Sequence, residues 1–236
     1  MNVTFIPALT PLEWEALGLS LKVALTATTV SLPFGVAMAW LLARTRFPGH
    51  GLLNAIVHLP LVLPPVVVGW ALLVVLGRQG VVGEWLFDAF GVTFAFTWKG
   101  AAVAAAVMAF PLLVRAIRLS LEAVDPGLEA AARTLGASPL RTFFTITLPL
   151  MLPGVVTGCV LAFARALGEF GATITFVYNI PGETRTLPLA LYGLTQVPGG
   201  ESGAARLAVI AVVVALVALV VSEVLARRVK RMTEGT

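Results

Sequence analysis

Apolar positions along this chain do not alternate with polar ones at the sheet period of two or the surface-helix period of 3.6. They come in long unbroken runs closed off by isolated charges. The runs lie between Lys22 and Arg44, Arg46 and Arg78, Lys99 and Arg115, Arg141 and Arg165, and Arg206 and Glu223. A spanning helix needs about 20 mostly apolar residues, and Lys or Arg near its ends lengthens the usable helix by snorkelling to the interface. The pattern predicts an all-α integral membrane protein with five transmembrane helices, near 15–44, 51–77, 98–121, 147–172 and 204–227. A short segment, 1–14, precedes this 15–227 domain, and a basic tail, 228–236, follows it.

Composition agrees: of 236 residues, 58% are hydrophobic and only 12% charged, too few polar groups for a soluble surface. The net charge of +4 does not point to nucleic acid, because the basic residues sit at the ends of apolar runs. Basic loops stay in the cytoplasm. Five spans with the N-terminus outside put Arg44, Arg46, Arg115, Arg118, Arg133, Arg141, Arg227, Arg228, Lys230 and Arg231 on the cytoplasmic side, 10 of the 16 basic residues. Glu13 and Glu15 precede the first basic residue, Lys22, which is the wrong charge for a secretory signal. Cys159, the only cysteine, is expected to be a small buried hydrophobe.

Two stretches outside the spans lie on the outer side in this orientation. Trp85 and Trp98 in 78–100 suit an interfacial aromatic belt. Within the Gly- and Pro-rich 178–206, "LPLALYGLTQ" predicts a short half-helix, either re-entrant or surface-bound.

The polar insert at 122–149, "EAAARTLGASPLRTFFTITLP" at its centre, is built from helix starts and a stop. Asp125-Pro126 and Ser138-Pro139 each pair a capping oxygen with a proline where no N–H is needed, and Gly136 supplies a left-handed corner. Two short helices should meet there. Leu128, Ala131 or Ala132 and Leu135 share one face, while Leu140, Phe143 and Phe144 make a ridge on the second helix. Pro149 should end or kink that helix. An apolar ridge held out of the membrane implies a partner.

This insert resembles the EAA loop of ABC-importer permeases, E-A-A-x3-G-x9-I-x-L-P. Gly136, Ile146, Leu148 and Pro149 match position by position, while the Glu position holds Ala130 and Glu129 lies one residue early. Residues 160–209 and "ARTRFPG" at 43–49 are similar to the permease subunit of molybdate transporters, the ModB family, and the likeness covers nearly the whole chain. Sulfate permeases carry a similar "GEFG" segment. The resemblance implies a type I importer transmembrane domain of the bacterial inner membrane, moving molybdate or tungstate by alternating access. It also implies a homodimer, an extracytoplasmic oxyanion-binding protein, and ABC ATPase subunits. Those subunits would dock on Glu129, Ala131, Ala132, Arg133, Leu135, Gly136, Ala137, Leu140, Arg141, Phe143 and Phe144.

No phosphate-cradling G-x-x-x-x-G-K-[ST] loop occurs in the chain, so the chain is not expected to be an enzyme by itself or to hold a cofactor. ATP and Mg would be bound by the partner subunit. Arg165 and Glu169, four apart, can pair inside the membrane, either facing a pathway or locking the packing. Thr173 and Thr175 offer hydroxyl donors to an oxyanion unless they bond their own backbone. Pro60, Pro64 and Pro65 should kink the second span. His50 and His58 lack metal-spaced companions, and no metal is expected. A sulfate-type permease, a self-sufficient ion-coupled carrier and a non-transporting assembly protein remain alternatives at this stage.

Overall fold

The structure, a computed structural model, describes residues 9–234. The start of the expected 1–14 segment, the last two residues of the tail, and the side chains of Arg227, Arg228, Lys230 and Arg231 lie outside the described residues. Eleven α-helices follow in order: α1 (Pro11–Arg44), α2 (His50–Val62), α3 (Pro65–Leu76), α4 (Val81–Phe90), α5 (Trp98–Glu122), α6 (Pro126–Thr134), α7 (Pro139–Thr142), α8 (Leu148–Leu167), α9 (Gly171–Val177), α10 (Leu187–Thr195) and α11 (Glu201–Glu234). A π-helical turn, Phe143–Thr147, joins α7 to α8.

By length and composition α1, α5, the continuous Pro139–Leu167 helix and α11 are each able to cross a bilayer. The second expected span, 51–77, is not one rod: the chain bends by 114° between α2 and α3. Two consecutive prolines explain the break. The residue before a proline is pushed out of the α region, so both Leu63 (φ −71°, ψ 143°) and Pro64 (φ −55°, ψ 132°) are extended, and α2 stops at Val62. The expected fourth span, 147–172, is also divided, because α8 ends at Leu167 and α9 starts at Gly171.

Helix α5 is the centre of the bundle. Alanines fill its first half, with Ala101, Ala104 and Ala105 wholly buried, and Leu113, Val114, Ile117 and Leu121 fill its second. Small side chains let neighbouring backbones approach, which is how membrane helices gain packing when lipid is as apolar as leucine. α1 runs parallel to α5: the Lys22 ammonium sits 3.6 Å above the Trp98 ring near one end, and Arg44 Nη2 donates to the Val124 carbonyl (3.4 Å) at the other. α8 packs along α5, and Ser120 Oγ donates to the Met151 carbonyl (3.3 Å).

The two broken spans meet at their breaks. Gly171, the first residue of α9, lies against Pro65, the first of α3, and a Cβ on Gly69 would come within 2.5 Å of the Ala172 carbonyl oxygen. Glycine at 69 is what allows α3 and α9 to cross in backbone contact.

The half-helix expected in 178–206 is α10. Its Leu187 and Ala190 form a small core with Ala16 of α1 and Leu207 of α11, so it packs on the bundle at the end opposite the insert. Several basic residues at that end are engaged: Arg206 with Glu13 (2.9 Å), Arg165 with Glu169 (2.6 Å), and Arg185 with Asn179 (3.3 Å).

Candidate coupling surface and translocation pathway

The insert folds as its caps direct. Asp125 accepts from the Gly127 amide (2.8 Å) and starts α6; Ser138 accepts from the Arg141 amide (3.3 Å) and starts α7. Between them Gly136 has φ +87°, a left-handed conformation that costs an L-residue about 1–2 kcal/mol. An added Cβ there would meet nothing within 4 Å, so the backbone alone asks for glycine.

The second helix differs from expectation. Pro139 begins a continuous helix that runs to Leu167, so the corner joins α6 directly to the foot of the fourth span. Pro149 has no N–H to donate and its ring crowds the preceding turn. The π turn at 143–147 widens the helix just ahead of it, with the Leu148 amide reaching back to Phe143. Proline is thus absorbed here rather than ending the helix.

The ridge divides into two parts. Leu135 (89% exposed), Leu140 (72%) and Phe144 (61%) project from the corner, joined by Leu128 at 48%. Phe143 instead packs on the main core, its ring edge-to-face with Phe144 at 5.2 Å. Ala131, Arg133 and Arg141 are exposed, and Ala132 and Ala137 half-buried. Glu129 points inward. Its Oε1 receives Arg44 Nη2 (3.0 Å) from the end of α1 and the Thr147 hydroxyl (2.8 Å) from the π turn. The early position of this glutamate therefore has a structural use: it ties α6 to the first and fourth spans. A carboxylate holding two donors with only 15% of its side chain exposed stabilises the contact by about 1.5 kcal/mol. Arg44→Gln should raise amide hydrogen exchange across 126–142 about tenfold while leaving α5 unchanged, as read by mass spectrometry. Unaltered exchange in the insert would mean that the bracket does not hold it.

At the break of the fourth span, the Arg165–Glu169 pair forms, but Glu169 lies past the end of α8 rather than on its face. The carboxylate bridges the gap: Oε2 faces Arg165 and Oε1 accepts the Ala172 amide (2.8 Å), one of the free N–H groups at the start of α9. Thr173 and Thr175 do not present donors to a pathway, because their hydroxyls donate to the Phe170 (2.8 Å) and Gly171 (3.0 Å) carbonyls. His50 and His58 likewise bond backbone carbonyls, of Leu42 (2.9 Å) and Asn54 (2.8 Å). Among the described residues, no three His, Cys, Asp or Glu side chains gather as a metal site.

Residues 31–231 match the family described as binding-protein-dependent transport system inner membrane component. Over 219 residues the chain is 66% identical to the molybdenum transport system permease protein ModB of Escherichia coli K12, covering 93% of this chain and 96% of that protein. The chain belongs to the ModB permease family. The Haemophilus influenzae ModB permease is 57% identical over 93% of this chain and 96% of its own. Among solved structures, a bacterial ABC transporter involved in alginate import superposes with a TM-score of 0.74 at 18% identity, over 96% of this chain and 85% of that one. That likeness extends to the fold alone. This ModB-family permease is a multi-pass inner-membrane component of an ABC importer.

Proposed function

We propose that the chain is the membrane-spanning subunit of an ATP-driven molybdate importer and forms its pathway by alternating access. In this reading the insert lies in the cytoplasm with the C-terminus, and the N-terminus lies outside. ATP and Mg are bound by ABC ATPase subunits, and an extracytoplasmic binding protein delivers the oxyanion. One observation carries the reading: three large apolar side chains, Leu135, Leu140 and Phe144, stand exposed around a glycine corner that is bracketed to two spans. An exposed apolar surface of this kind marks a place where a partner docks, and the bracket makes it a lever.

With α5 filling the centre of the bundle, the pathway runs along an outer face, which a second copy of the chain closes on a two-fold axis. ATP-driven closure of the ATPase pair pulls the corner, and α1 and α8 move with it as rigid bodies. The breaks between α2 and α3 and between α8 and α9 permit such movement without unwinding a full helix.

The test is reconstitution. The permease with its ATPase should hydrolyse ATP several-fold faster with molybdate-loaded binding protein than with the empty form, and the permease alone in liposomes should move no molybdate. Stimulation by sulfate but not molybdate would reassign the cargo; uptake by the permease alone along an ion gradient would overturn the ATP-driven reading. Leu140→Asp, at a site exposed in the isolated chain, should leave insertion intact. It should weaken ATPase assembly by about 2 kcal/mol, some thirtyfold, measured as co-purification against ATPase concentration.

A further inference from the structure

The recess between α2 and α5 at the insert end is chemically unlike the apolar groove between α1, α8 and α11, which is walled by residues such as Leu25, Phe163 and Val217. It has a volume of about 380 Å3. Asn54 and His58 form one wall, and Arg115, Arg118, Leu119 and Glu122 the other. Asn54 and His58 are four apart in sequence, and Arg115 and Arg118 three apart, so each pair lies on one helical face.

The polar groups are arranged, not merely near one another. Arg118 Nε donates to Glu122 Oε1 (2.7 Å) and Nη1 to Asn54 Oδ1 (3.0 Å), which fixes the guanidinium plane across the gap between the helices. His58 Nδ1 bonds the Asn54 carbonyl (2.8 Å), which turns Nε2 away from its own backbone. Arg115 makes no ion pair or hydrogen bond with the described residues. One carboxylate therefore shares the recess with two guanidinium groups, which leaves one positive charge in excess. An unmatched guanidinium, Arg115, beside a second one held in place, Arg118, is an arrangement that takes a planar or tetrahedral oxyanion.

We infer that Arg115 and Arg118 form a binding site for a tetrahedral oxyanion group, supplied by the transported anion or by the phosphate of an anionic lipid. The inference deepens the importer reading and rests on it only for the side on which the recess opens. With the insert in the cytoplasm, the site is where cargo is released and where the inner leaflet presents its headgroups. Glu122 offsets half of the fixed charge, which keeps the site weak enough to release an anion.

The experiment uses the permease–ATPase complex without nucleotide or binding protein. In phosphatidylcholine nanodiscs, binding of radiolabelled molybdate and of sulfate is measured by equilibrium dialysis. In nanodiscs of equal parts phosphatidylcholine and phosphatidylglycerol, retained lipid is measured by native mass spectrometry. Arg115→Gln removes a charge with no described partner, so the fold should persist, and Arg115→Lys restores the charge. If cargo is the ligand, free-anion affinity falls about tenfold in Arg115→Gln and recovers partly in Arg115→Lys. If lipid is the ligand, the wild type binds no free anion, and retained phosphatidylglycerol falls about tenfold in Arg115→Gln. No difference between wild type and Arg115→Gln in either arm overturns the site. Binding-protein stimulation of ATP hydrolysis, read on the same preparations, separates that failure from failure of the importer reading, in which the wild type itself is not stimulated.

Discussion

Gly136→Asp should leave the permease inserted and folded but reduce molybdate uptake at least tenfold, with ATP hydrolysis no longer answering to loaded binding protein. Two effects add. The corner needs φ +87°, which aspartate tolerates better than most residues but still at a cost. The larger effect is electrostatic. The added carboxylate projects into open space among Leu135, Leu140 and Phe144, so the isolated chain tolerates it; docking would then bury an unpaired charge, at several kcal/mol. Gly136→Asn separates the terms, since asparagine accepts the same backbone conformation without the charge. Its uptake should stay within about threefold of wild type, because under about 0.7 kcal/mol of strain then remains. Normal uptake in Gly136→Asp would show that nothing docks at the corner.

That corner could be read from sequence because its signals are local. Asp125-Pro126, Gly136 and Ser138-Pro139 each act within four residues, and all three cap as expected. The apolar runs were legible for the same reason, since bilayer thickness sets a length that residue-by-residue hydropathy can report. Tertiary competition hid the rest. The second span is unbroken in hydropathy, yet Pro64-Pro65 divides it; the prolines announce a bend, but neither its 114° nor the seat of α3 on α9 through Gly69, which involves residues of another span. Phe143 and Phe144 are alike in the sequence; consecutive residues point to different faces of a helix, and only the seating of that helix on the bundle decides that Phe143 meets the core and Phe144 stays outside. Glu129 carried no sign that its partners would be Arg44 and Thr147, 85 and 18 residues away. The recess of Arg115 and Arg118 was legible only as charge at a helix end, because Asn54 and His58 belong to another span.

Arg165→Met should destabilise the permease more than Glu169→Gln, and the double variant should recover most of the loss. The asymmetry follows from burial: 1% of the Glu169 side chain is exposed, against 29% for Arg165. Removing the arginine strands a carboxylate with no route to water, a change of about 3–5 kcal/mol. Glu169→Gln keeps an acceptor for the Ala172 amide, and the guanidinium left behind reaches a more polar surrounding through its stem, so the cost is about 1–2 kcal/mol. In the double variant no unpaired charge remains, and the amide still caps α9. Thermal unfolding of the purified permease orders the three variants. Uptake by the reconstituted complex then decides what the pair is for. Because Glu169 is committed to both Arg165 and the start of α9, and the neighbouring Thr173 and Thr175 hydroxyls are committed to backbone, this group is expected to hold the junction of α8, α9 and α3 rather than to meet cargo. Uptake in the double variant should accordingly return along with its stability. A double variant as stable as wild type that no longer imports molybdate would instead place the charges in the path of the anion.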